Sequence, residues 1–287
     1  MGASDSKLVF KRGIFRLCEE RHIPADDAYW TSVRPTPESI ARVKLLPESS
    51  EDVFSLFTPA DIRRTRDRAL ENLETLILAV TSRLFILRHH PSFPDPELAP
   101  EREALNCVRV LTRILPYLYE KDSLGEWEQK FFWAQRRKRT RQAAIANEIL
   151  FDEAQEAERK VESAHFEEVK PLAEELVDTL VDLLFFSDLT LPRQPHGRSK
   201  VSYAIWQSGV GCNTAVATTK EYESNRSEIL RLLLTLAGQS LYMTAGVLPQ
   251  TGVRTLTHLC ACPDKQVVLS VLCSLLNTVR LYMCVLP

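Results

Sequence analysis

Apolar positions recur every three to four residues along most of the chain, the spacing that turns one face of an α-helix toward a core. Leu8, Phe10, Ile14, Leu17 and Cys18 mark the first such stretch. A short helix over Pro59–Asp67 and a longer one over Leu70–Leu87 follow, the second with Leu73, Leu76, Ile77, Val80 and Leu84 on one face. Thr58 suits the N-cap of the short helix, Pro59 its first position and Asp61 its third, with Phe57 and Ile62 spaced for a hydrophobic staple. Glu101–Tyr119 carries Leu105, Val108, Leu111, Ile114 and Leu115 inward, and Pro116 is expected to kink or end it. Leu172–Phe186 is the most regular stretch, with Leu172, Leu176, Leu180, Leu183 and Leu184 in line. Asn225–Tyr242 is apolar on nearly every side, which predicts cover on both flanks. Its companion starts at Pro263 and runs through Val267, Val268, Val271, Leu272, Leu275 and Leu276.

Proline-rich spans separate these elements. Pro24–Pro47 reads as short helices and turns, and His89–Pro100 and Leu191–Lys200 read as loops. No stretch keeps a period of two for long. The fold class is therefore all-α, and helix pairs joined by proline loops predict an α-solenoid-like array of the HEAT or armadillo kind. No strict internal repeat accompanies that expectation. The expected organisation is an acceptor segment over 1–7, a helical region over 8–135, a charged helix or linker over 136–165, a helical-pair region over 166–278 and an atypical tail over 279–287.

Composition narrows the class. Nine glycines against sixteen prolines in 287 residues disfavour a turn-rich β fold. A net charge of −2 gives no global field for nucleic acid, so no nucleic-acid partner is expected. The odd total of seven cysteines, most within apolar helical patterns, points to buried reduced thiols. Lys11, Arg12 and Arg16 interrupt any apolar secretory region near the start. No window holds eighteen consecutive apolar residues, so membrane contact is expected to be peripheral.

Candidate chemistry is sparse. His89 and His90 are adjacent but have no second ligand cluster. His258, Cys260 and Cys262 alternate without the second half of a closed zinc site. Glu174, Asp178 and Asp182 align on one helix face, where solvent contact is expected rather than acid–base work. Trp206-Gln207-Ser208-Gly209-Val210-Gly211 resembles half a phosphate loop but lacks its GK[ST] ending, and reads instead as a helix end turned by glycines. No nucleophile–base pair is evident. The expectation is a non-enzymatic protein with no cofactor and no metal.

Two features point to surfaces. Met1-Gly2-Ala3-Ser4-Asp5-Ser6 fits the acceptor pattern for N-myristoylation at Gly2. One myristoyl chain binds membranes only marginally, with K on the order of 10⁴ M⁻¹, so a second signal is needed. Lys7, Lys11, Arg12 and Arg16 beside the acceptor are the candidates on an anionic leaflet. The second feature is Arg136, Arg137, Lys138, Arg139 and Arg141, five cations in six residues, leading into an acidic run. It reads as a solvated self-pairing helix or a mobile linker, or else as a docking patch for an acidic membrane or partner surface.

Blocks along nearly the whole chain resemble the high-temperature-induced dauer-forming protein family, relatives of the dymeclins. They are MGASDSKLVF at the start, DDAYW at Asp26–Trp30, EDVFSLFTPADIR at Glu51–Arg63, NCVRVLTRILPYLYE at Asn106–Glu120 and WEQKFFW at Trp127–Trp133. IWQSGVG at Ile205–Gly211, NRSEILRLLLT at Asn225–Thr235 and CPDKQVVLSVLCSLLNT at Cys262–Thr278 continue the series. The proline-rich insertions resemble fungal members. The resemblance implies a myristoylated peripheral protein of cytoplasm and Golgi membrane, acting without catalysis in trans-Golgi sorting and secretory-vesicle formation. Its partners would belong to the secretory pathway. Only Gly2 carries a role over directly. The alternative is a cytosolic helical adaptor that docks through Arg136–Arg141. Family members are several times longer, so the chain is expected to be an N-terminal portion. The helix near Val267–Leu276 would then leave an apolar flank open.

Overall fold

In a computed structural model, residues 3–24, 27–31, 50–139, 166–193, 199–243, 246 and 252–285 are described. They are mostly helical and fall into two units, one from 1–122 with 177–287 and one from 123–176.

The larger unit opens with α1 (Ala3–Glu19) and the short α2 (Ala28–Thr31). Phe10, Ile14, Leu17 and Cys18 are buried, and α1 packs on α3 (Ser50–Leu56) and α4 (Pro59–Arg68). Thr58 caps α4 as expected from sequence, and the cap closes into a reciprocal box with Asp61. Thr58 Oγ1 accepts from Asp61 N at 3.2 Å and the Asp61 carboxylate accepts from Thr58 N at 3.2 Å. Next come α5 (Leu70–His89) and α6 (Glu101–Tyr119). Pro116 does not end α6, which continues to Tyr119. Proline removes its own N–H and crowds the carbonyl four residues back, yet α6 runs three residues beyond it.

α6 packs against α3, α4 and α5 and also against α9 (Lys220–Ala237), far along the chain. Buried Arg83 pairs with Glu103 across α5 and α6, and Arg109 approaches Glu228 at 3.7 Å across α6 and α9. A stack of sequential repeats would place chain neighbours side by side. The contact of α6 with α9 skips several elements; the helical class holds. The unit closes with α10 (Arg254–Cys260) and α11 (Lys265–Val285).

α9 begins at Lys220, with Thr219 accepting from Tyr222 N at 3.2 Å as its cap. It is not covered all round. Asn225, Arg226, Ile229, Leu232, Leu233 and Leu236 form one buried stripe, while Leu234 is 71% exposed. α11 begins at Lys265 rather than at Pro263, with Asp264 Oδ1 accepting from Gln266 N at 2.9 Å.

The smaller unit holds α7 (Gly125–Phe132), β1 (Arg136–Arg139) and β2 (Phe166–Val169). Trp127 and Phe131 stack at 5.0 Å, and Phe132 meets Phe131 edge-on at 4.9 Å. β1 and β2 are antiparallel, with Arg136 opposite Val169 and Arg139 opposite Phe166. Arg136–Arg139 was expected in a charged helix or linker and Phe166–Val169 in a helical region; both are extended. Opposite charges across the ladder, Arg137 against Glu168 and Lys138 against Glu167, favour that pairing. α8 (Leu172–Leu184) contains the unit boundary.

Candidate functional surfaces

Gly2 lies outside the described residues, and helical structure begins directly after it at Ala3. The four cations near it do not act as a set. Lys7, Lys11 and Arg12 are exposed on α1. Arg16 turns inward: it holds Asp27 through two bonds of 2.9 and 2.7 Å, and its Nε donates to Glu20 at 2.6 Å. The guanidinium also covers the Tyr29 ring at 5.3 Å. Arg16 therefore orders the start of the chain rather than lending charge to a surface. It lowers the Asp27 carboxyl to about 2, helped by the Tyr29 backbone N–H.

Other buried polar groups fix α1 in place. Asn72 accepts from Ile23 N at 2.8 Å and donates to Leu17 O and Glu20 O. The Tyr29 hydroxyl donates to Gly13 O at 3.0 Å, and Thr65 donates to Cys18 Sγ at 3.1 Å. With its inner face so tied, α1 shows one face only. On that face stand Leu8 and Phe15, 53% and 68% exposed.

Of the basic block, Arg136 is committed. Its Nε donates to Lys170 O at 2.9 Å, and its guanidinium pairs with Glu175. The side chains of Arg137, Lys138 and Arg139, and all of Arg141, lie outside the described residues.

The candidate ligand groups are dispersed into structural bonds. His90 Nδ1 accepts from Ser92 N at 3.1 Å within the loop. His258 Nε2 meets Asp178 Oδ1 at 2.7 Å. Among the described residues no group of three His, Cys, Asp or Glu side chains converges. Of the aligned carboxylates of α8, Asp178 is 42% exposed beside His258, while the other two are partly covered. Asp182 accepts from Arg88 Nε at 2.8 Å and from the Tyr203 hydroxyl, and is half-buried. Glu174 is half-buried as well.

The Trp206–Gly211 run is an irregular loop and not a helix end. Trp206 is buried, with the Arg226 guanidinium 4.6 Å above its ring and Phe185 at 5.2 Å. The loop is bonded to α11. Val210 N donates to Asn277 Oδ1 at 2.7 Å, while Asn277 Nδ2 donates to Gln207 O at 2.8 Å and Val210 O at 3.1 Å. Trp206 Nε1 donates to Thr278 at 2.9 Å and Ser270 donates to Tyr203 O at 2.7 Å. Between this loop and α11 runs an open groove of about 590 Å³, bordered by Tyr203, Ile205, Val216 and Leu269. Sequence reasoning missed Asn277 as the residue that seats the loop.

The model of the family described as Hid1, high-temperature-induced dauer-formation protein, matches residues 1–285. The chain belongs to the Hid1 family. Among curated relatives, the Ubp5-interacting protein ftp105 of Schizosaccharomyces pombe is 37% identical over 97% of this chain and 34% of its own length. A Hid-1 family protein of the same yeast is 31% identical over 97% of this chain and 30% of its own. Protein HID1 of Homo sapiens is 29% identical over 98% and 33%. The Hid1-family chain thus spans about a third of the length of these relatives. No solved structure matches it.

Proposed function

We propose that this Hid1-family chain is part of a non-enzymatic scaffold, N-myristoylated at Gly2 and held peripherally at the Golgi membrane, that recruits proteins for trans-Golgi sorting and secretory-vesicle formation. The observation that carries the reading is the family match along residues 1–285, which includes the acceptor segment. A relative named as a Ubp5-interacting protein supports a binding role. Lys7, Lys11 and Arg12 follow the acceptor on an exposed helix face, where basic residues add attraction to an anionic leaflet.

Fractionation of cells expressing wild type or Gly2→Ala tests the proposal. The wild-type chain is expected with Golgi membranes and the variant shifted toward the cytosol, and mass spectrometry of the N-terminal peptide should show the acyl group on wild type only. Unchanged membrane association of Gly2→Ala would remove the lipid from the account. The alternative, a cytosolic adaptor docking through Arg136–Arg141, is weakened because Arg136 is engaged by Glu175. Charge reversal at Arg137, Lys138 and Arg139 would abolish partner capture on that reading and leave it intact on the first.

A further inference from the structure

α1 has two faces of different kind. The inner one, Phe10, Ile14, Leu17 and Cys18, is buried and bonded in place. The outer one carries Leu8, Lys11, Arg12 and Phe15. At about 100° per residue, positions seven apart lie within about 20° of each other, so Leu8 and Phe15 share one line. Lys11 and Arg12 fall between them along the axis, one on each side of that line. Exposed apolar side chains can bury themselves at a headgroup–acyl boundary while neighbouring cations meet anionic headgroups, and the two contributions add. Single exposed apolar residues need no explanation, but these two are aligned, and α1 cannot roll to cover them. Glu19, at the end of this face, is held by Arg64 at 2.7 Å, so among the described side chains between Leu8 and Phe15 the charge is basic.

We infer that the outer face of α1 is a membrane-contacting surface in its own right: Leu8 and Phe15 enter the headgroup–acyl boundary of an anionic leaflet, and Lys11 and Arg12 meet its acidic headgroups. Charge complementarity selects an anionic bilayer over a neutral one or an acyl pocket. The inference rests on the peripheral-membrane reading but does not need the acyl chain. α1 would lie parallel to the membrane and fix how the helical unit behind it faces the surface.

The test uses the full chain produced without acylation, mixed with vesicles of phosphatidylcholine alone or with added phosphatidylserine, and read by co-sedimentation. Wild type is expected to bind only the anionic vesicles, and less as salt rises. Lys11→Glu with Arg12→Glu should lose about fivefold or more per cation, since each contributes roughly 1 kcal/mol near such a surface. Leu8→Ser with Phe15→Ser should lose at least as much, whereas Phe15→Trp, an interfacial aromatic, should retain binding. All these positions point outward, so thermal unfolding serves as the folding control. Absence of wild-type binding to anionic vesicles, or equal binding by all variants, overturns the inference. Either result leaves acylation at Gly2 untouched, because that is read separately in cells.

Discussion

A methyl group at residue 209 has nowhere to go. Gly209 has φ +146°, and a Cβ built there would lie 2.5 Å from Asn277 Oδ1. Gly211, at φ +74°, would meet Ile205 and the Cys273 sulfur at 3.1 and 3.3 Å. The two glycines allow the loop backbone to come close enough for Asn277 to bond Gln207 and Val210 directly. Gly209→Ala therefore combines backbone strain with loss of a buried amide's position and should destabilise the fold by about 2–3 kcal/mol. Asn277→Ala leaves the Val210 N–H without its acceptor and should cost about 1–3 kcal/mol. Urea unfolding measures both. Because the two residues serve one contact, the double variant should lose less than the sum. An additive pair would show that the contact contributes nothing of its own.

Helices whose buried face is apolar were legible from spacing: α5, α6 and α8 bury the leucines, isoleucines and valines that the pattern marked. α11 was legible as a helix but not in its orientation. It turns Ser270, Cys273, Ser274 and Asn277 inward, where Ser270, Ser274 and Asn277 bond the loop, and leaves Leu269, Leu272, Leu276 and Val279 exposed. A period shows which residues share a face but not which face is covered, and the polar partners of α11 lie some seventy residues away. β1 escaped for another reason: four consecutive cations carry no apolar period, and the β2 residues they pair with stand far along the chain. The open stripe of α11 follows a three–four spacing, so the expected apolar flank is present. The isolated chain should therefore bind an apolar-surface dye such as ANS. Leu272→Glu with Leu276→Glu should quench that signal while shifting stability by less than about 0.5 kcal/mol per site, as for outward positions. A monodisperse, dye-silent wild type would contradict this.

Across the larger unit, charge ties distant segments and sets how stability responds to acid. Arg66 and Lys121 hold the Asp67 carboxyl at about 2, well below its ordinary 3.8, as Arg16 does for Asp27. The unfolded chain binds these protons first, so the stabilisation is complete above pH 3.8 and is lost as pH falls toward about 2. Glu101 behaves in the opposite sense. Burial raises its pKa first, and the neighbouring charge of Glu221 adds to it. Each acid stands in the first turn of its helix, where the helix dipole favours a negative charge, but packing of α6 on α9 brings the two together. The folded form therefore holds the Glu101 proton more tightly than the unfolded chain. Its penalty is present at neutral pH and is relieved as pH falls through the raised value toward 4.5. Glu101→Gln keeps an amide to bond Glu221 and removes the charge. The variant should be more stable than wild type at pH 7, and the advantage should shrink toward pH 4.5, because protonated Glu and Gln are then equivalent. Thermal unfolding of both proteins between pH 7 and pH 4 measures this convergence. A difference that stays constant over that range would mean that the carboxyl titrates as it does in water and that the pair does not couple the two helices.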